Sequence, residues 1–142
     1  MMKLAWKPGA LGEVPGPLLI SATRFTYRSL WVMPAVFREG LLLRRHWTDF
    51  EGGLGVSLSG DLLKRTTYTV SAWRSEEDLR NFVRSAAHMR LMRRYRAQME
   101  SSAFTTWTTD RFSLREAWRE AARRLDGQPR SISMASPYEK NR

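Results

Sequence analysis

The stretch Thr66–Met99, TTYTVSAWRSEEDLRNFVRSAAHMRLMRRYRAQM, constrains the fold of this chain more than any other. Thr66–Trp73 alternates with a period of two, as a half-buried strand does: Tyr68, Val70 and Ala72 share one side, Thr67, Thr69, Ser71 and Trp73 the other. Ser75 with Asp78 approximates a capping box, and acids in the first turn favour the positive helix end. A long amphipathic helix carrying His88 comes next. At 100° per residue, Leu79, Phe82, Val83, Ala86 and Met89 form an arc suited to a sheet. That arc continues into Arg90, Arg93 and Arg94, while His88, Leu91, Met92, Tyr95 and Met99 gather on the opposite side. The apolar stripe thus switches sides close to His88. The helix bends or breaks there, or both sides are buried, one of them by a partner subunit, or the arginines meet an acidic group across a pocket. The reading preferred from sequence is a partner-covered outer stripe with solvated or snorkelling arginines.

The flanking sequence supplies the remaining elements. Leu18–Thr26 is apolar and β-branched enough for a first strand. Pro34 opens a helix that runs to about His46. Leu54–Gly60 alternates Leu54, Val56 and Leu58 against Ser57 and Ser59, and residues 61–64 turn it into the strand Arg65–Trp73. Ser102–Thr109 is a fourth strand, and Ser113 with Glu116 starts a last helix that Gly127 and Pro129 stop. The order β-α-β-β-α-β plus a C-terminal helix is the split βαβ, ferredoxin-like arrangement: α+β, one antiparallel sheet, helices on one face. Residues 1–17 read as an irregular arm, 18–127 as one domain and 128–142 as a mobile tail. The sheet face without helices must be covered by dimerisation, a ligand or solvent.

Strand parity locates the chemistry. Leu54, Val56 and Leu58 join Tyr68, Val70 and Ala72 under the helices. The other face is Ser/Thr with Trp73, joined by Thr105, Trp107 and Thr109, and it is almost uncharged. Such a face reads as a dimer seam or a polar-lined pocket in preference to an open sheet surface.

Composition excludes several classes. With 42% apolar residues in 142 the chain can bury a core of its own, and zero cysteines remove disulfides and thiolate chemistry. Two histidines and no paired acids leave no protein-ligated zinc site expected. Gly52-Gly53-Leu54-Gly55 lacks the lysine of a phosphate loop and leads into a strand. No apolar run suits a signal peptide or a bilayer span, so a cytoplasmic location is expected. The net charge of +10 points weakly to a polyanionic partner. His46, near a helix end, reads as a capping or surface residue. His88 reads as a packed or surface residue, as an acid/base, or as an axial haem ligand.

The passage Ser71-Ala72-Trp73-Arg74-Ser75-Glu76-Glu77-Asp78-Leu79-Arg80-Asn81-Phe82, followed by Ser85-Ala86-Ala87-His88, resembles the dimeric α+β-barrel superfamily, in particular antibiotic-biosynthesis-monooxygenase-like and spheroidene-monooxygenase-like proteins. The resemblance implies a homodimer with sheets packed face to face and a pocket between sheet and helices in each subunit. It also implies either no cofactor or haem, since members include cofactor-independent oxygenases of aromatic polyketides and haem proteins. In several haem-binding members a histidine of the second helix ligates iron, and His88 lies on the corresponding helix.

Two functions are carried forward. The first is an oxygenase-like enzyme, or a haem- or aromatic-ligand-binding protein, acting on an apolar small molecule. Its pocket would be lined by Trp73, Tyr95, Trp107 and Trp31 with Met92, Ser71 and Thr69. His88 would serve as base or iron ligand, and Arg84 or Arg94 would steer an anionic substituent. The second is a non-enzymatic basic module binding a polyanion or a protein. Specific RNA recognition is not expected, because Arg65-Thr66-Thr67-Tyr68-Thr69-Val70 lacks the glycine and paired aromatics of the RNA-recognition motif.

Overall fold

The computed structural model describes residues 2–11 and 16–127. Part of the N-terminal arm and the whole tail expected at 128–142 therefore lie outside the described residues. Among the described residues six strands form one antiparallel sheet: β1 (Met2–Lys3), β2 (Lys7–Pro8), β3 (Leu18–Tyr27), β4 (Gly53–Asp61), β5 (Thr66–Trp73) and β6 (Met99–Thr109). Their spatial order is β1-β4-β5-β3-β6, with β2 also on β4. The four long strands and their two crossovers make the ferredoxin-like α+β arrangement. Within the arm, β1 and β2 extend the β4 edge, Lys3 opposite Ser59 and Lys7 opposite Val56.

The first crossover is α1 (Met33–Arg45), entered through a 3-10 turn whose cap, the Ser29 hydroxyl, accepts from the Trp31 amide. The second is two helices, α2 (Glu76–Val83) and α3 (Ala86–Tyr95), rather than one. Ser75 caps α2 and binds Asp78, whose carboxylate also receives Arg74 Nε at 2.9 Å. The Arg74 guanidinium holds that carboxyl below its usual range. Gly52, at φ 74, lies against Asp78 where any Cβ would collide. Arg84 and Ser85 then break the helix, and the Ser85 hydroxyl accepts from the His88 amide as a new N-cap.

That break is the physical reason for the side-switching stripe, and it replaces the preferred reading of a partner-covered outer face. Re-aimed at Ser85, α3 turns Leu91, Met92 and Tyr95 inward with His88, and Arg93 and Arg94 outward.

Helices cover both faces of the sheet, which corrects the expectation of one. On one face, Ile20, Ala22, Val70, Ala72 and Ala103 pack under α4 (Leu114–Asp126) through Ala117, Ala121 and Leu125. Trp118 Nε1 donates to Ser57 Oγ at 3.2 Å, and Arg24 Nη1 donates to the Leu125 carbonyl at 3.0 Å, pinning the helix C-terminus. The chain thus covers much of this face with its own last helix.

The parity of β4 also differs from expectation. Gly53 pairs with Trp73 but Gly55 with Ala72, so a bulge at residue 54 reverses the facing of the rest of the strand. Leu54 joins the α4 core, whereas Val56 and Leu58 face α1–α3 beside Ser71 and Thr69. Ser57 is the residue that points toward α4.

Candidate functional site

Between the sheet and α1–α3 a cavity of about 190 Å³ lies over the face of Ser21, Thr23, Thr67, Thr69 and Ser71. Hydroxyls form its floor, and Phe25, Phe37, Leu58, Leu91, Met92, Met99 and Phe104 form much of its wall. Gly60 leaves the space that the Phe37 ring fills over β4.

Two polar stations mark the helix side. The first is His88, whose Nδ1 lies 3.0 Å from the Val83 carbonyl at the end of α2. A carbonyl only accepts, so Nδ1 carries the proton and Nε2 is the ring's acceptor nitrogen. The ring packs edge-on against Phe82 at 4.9 Å, and Phe82 packs on Trp47, Phe50 and Trp73. Desolvation in this aromatic setting pushes the imidazole down to about 4, the Val83 bond opposing it, so His88 is neutral at pH 7.

The second station is a pair of phenols. Tyr27 is bound to Thr67, and burial, with Tyr95 nearby, pushes it up to about 12. The Tyr95 hydroxyl is buried and has no hydrogen-bond partner among the described residues. His88 and Tyr95 are seven residues apart on one helix face, so about 10 Å of helix axis separates the stations. Among the described residues Glu39 is the single acidic one lining the cavity, and it is paired with Arg94 at 3.8 Å.

Five of the ten residues singled out from sequence meet here: His88, Met92, Tyr95, Ser71 and Thr69. The other five are set apart from the cavity. Trp73 is fully buried behind Trp47 and Phe82, its indole nitrogen donating to Ser71 Oγ at 2.9 Å. Trp107 is on the opposite face, with the Arg124 guanidinium 5.1 Å from its ring. Its register partner Ile20 belongs to the α4 core, so the parity expected for β6 is one residue out. Trp31 is 92% exposed. Arg84 is exposed at the helix break, and Arg94 reaches the site only through Glu39 and the outer side of Tyr95. Sequence reasoning missed Tyr27, Phe37, Trp47 and Phe82 as cavity residues. Parity along β3 is the available signal for Tyr27, which lies in step with Ser21, Thr23 and Phe25.

The sequence alone matches no family model and no curated protein. Solved structures do match. SnoaB, a cofactor-independent oxygenase from Streptomyces nogalater, superposes with a TM-score of 0.51 at 17% identity, over 68% of this chain and 96% of that one. An antibiotic biosynthesis monooxygenase superposes at 0.55 and 14% identity, over 67% and 99%. A dimeric ferredoxin-like protein of unknown function from Thermobifida fusca superposes at 0.57 and 10% identity, over 68% and 95%. The chain has the fold of the antibiotic-biosynthesis-monooxygenase-like α+β-barrel proteins.

Within this monooxygenase-like fold, haem does not fit the residues present. The cavity is only modestly larger than the ~150 Å³ that accommodates benzene. Among the described residues no lysine or arginine lines it to receive propionates. The His88 tautomer would suit an axial ligand, but the space in front of it would not hold a porphyrin. Among the described residues no three His, Cys, Asp or Glu side chains converge as a metal site. No helix among them is long and apolar enough to cross a membrane.

Proposed function

We propose that this protein is an oxygenase-like enzyme acting on a neutral aromatic molecule of one or two rings, held in the cavity between the sheet and α1–α3. The observation that carries this reading is a largely apolar cavity that sets a neutral histidine of fixed tautomer facing a floor of hydroxyls. The aromatic wall takes the ring of the ligand, and His88 Nε2 accepts a hydrogen bond from a ring hydroxyl. Cavity volume excludes a fused polyketide of three or four rings unless the helices move apart.

The low basicity of His88 limits what it can do. A resting phenol is far too weak an acid to give its proton to an imidazole whose conjugate acid sits near 4. His88 therefore orients the hydroxyl, and the proton leaves only as the ring is oxidised. Dioxygen is the oxidant: a hydroxyarene C–H plus O2 gives the quinone carbonyl plus water, one oxygen atom to each product, all four electrons coming from the substrate. The name of SnoaB supports this chemistry by analogy of fold.

The test is 1-naphthol. Binding is read as quenching of tryptophan fluorescence, Trp47 being in the cavity wall, and turnover as one O2 consumed per 1,4-naphthoquinone formed. Binding that weakens at least tenfold in His88→Ala, with naphthalene unaffected, supports the reading. Equal binding of 1-naphthol by both proteins refutes the role of His88, and no binding of either compound refutes the site.

A further inference from the structure

One end of the sheet collects features that the cavity does not use. β3 ends there, the β4–β5 hairpin turns there and α3 returns to β6 there. Three hydrogen bonds tie these segments together: Arg28 N to the Gln98 carbonyl at 2.9 Å, Arg65 Nη1 to the Arg28 carbonyl at 2.9 Å, and Tyr27 N to the Arg65 carbonyl at 2.8 Å. Four large apolar side chains stand out from this end: Trp31 at 92% exposure, Leu63 at 85%, Leu62 at 49% and Leu30 at 45%. Trp31 is not a loose side chain on a loose loop, because its amide is capped by Ser29 in the 3-10 turn.

Cations share these segments with the apolar residues. Arg28, Lys64, Arg65, Arg93, Arg94 and Arg96 belong to the same three segments, against Glu39, Asp61 and Glu100. An exposed tryptophan and leucines on segments this rich in arginine and lysine match the apolar boundary and anionic headgroups of a bilayer. A second copy of the chain fits poorly, since a twofold contact would set these cations against their own copies.

We propose that this end of the molecule docks peripherally on an anionic lipid bilayer, Trp31 and Leu63 entering the headgroup–acyl boundary while the surrounding Arg and Lys side chains bind headgroups. The surface is independent of any reaction in the cavity. Tyr95 links the two spatially: its ring lines the cavity on one side and, with Trp31, Arg94 and Gln98, a shallow surface depression on the other.

The test is co-sedimentation of the full chain with vesicles of phosphatidylcholine alone and of equal parts phosphatidylcholine and phosphatidylglycerol, over a range of salt. Binding is expected to the anionic vesicles only, weakening as salt rises. Trp31→Ser/Leu63→Ser should weaken it at least tenfold. Lys64→Ala/Arg93→Ala, which removes two cations, should weaken it about 30-fold. All these positions are exposed, and unchanged circular dichroism verifies that the variants fold. Four results would each overturn the proposal: no sedimentation, equal binding to neutral vesicles, full binding by the apolar double variant, or a change in that variant's elution volume that reveals lost self-association.

Discussion

If His88 is held neutral by its surroundings, acid should destabilise the protein through this residue in a defined window. Its conjugate acid falls from 6.5 to about 4 on folding. A group whose folded pKa is depressed and whose neutral form is the native one contributes no penalty above 6.5, where both states are neutral. Between 6.5 and 4 the unfolded chain takes up a proton that the folded one resists, so stability falls with pH; below 4 both carry it and the loss levels off. The displacement corresponds to roughly 2–3 kcal/mol once partial exposure of the ring is allowed for. Urea denaturation of wild type and His88→Gln, followed by tryptophan fluorescence from pH 7 to 4.5, isolates this contribution, because the carboxylates titrate alike in both. The difference between the two curves should change by about 2 kcal/mol across that range, to the detriment of wild type in acid. NMR offers a direct check, since the chain has two histidines. Parallel stability curves, or a His88 ring resonance with a midpoint near 6.5, would refute the argument.

The helix break, the buried phenol and the sheet face under α4 each yield a further expectation. Ser85→Ala removes the cap of α3 and should cost about 1 kcal/mol, read as a lowered Tm in calorimetry; an unchanged Tm would mean that the break does not depend on the hydroxyl. Tyr95→Phe deletes a buried hydroxyl with no partner and should be neutral or stabilising by up to about 1 kcal/mol in urea titration, so a clear loss would reveal a bond that the structure does not show. Ala121→Glu sets an unpaired carboxylate between α4 and the sheet and should cost on the order of 3–5 kcal/mol. Amide exchange in α4 should accelerate, and unchanged protection there would contradict its placement.

The strand and cap chemistry of this chain is legible in the sequence because it is local. Alternation in Thr66–Trp73 survives in β5, and the Ser75 and Ser113 caps sit where the pattern puts them, each binding an amide three residues on. The β4 facing is not legible, because a one-residue bulge at Leu54 reverses a period-two pattern without altering composition. The same limitation hides Trp107, whose facing depends on which β3 residue it meets. Half of the site can be read from β5 parity and from the residues that gather with His88 on α3. The tryptophans in the other half cannot be placed by their chemistry alone, since an indole serves a core such as that around Trp73 or a surface such as that around Trp31 equally well.

The break at Ser85 joins fold to chemistry. In an unbroken helix from Ser75 onward the sheet-facing arc would carry Arg90, Arg93 and Arg94 onto the hydroxyl floor, and His88 would face outward. Ending α2 at Val83 exposes that residue's carbonyl, and restarting the helix at Ala86 brings His88 Nδ1 to 3.0 Å from it. One discontinuity therefore re-aims the apolar side of α3 at the sheet, removes the arginines from the cavity and fixes the imidazole tautomer. It also supplies a reason for Ser85 that helix propensity alone does not, since a serine is a poor interior residue but a good first cap. The cavity exists because the helix over it is in two pieces, and the histidine at the junction is the residue whose orientation depends on both.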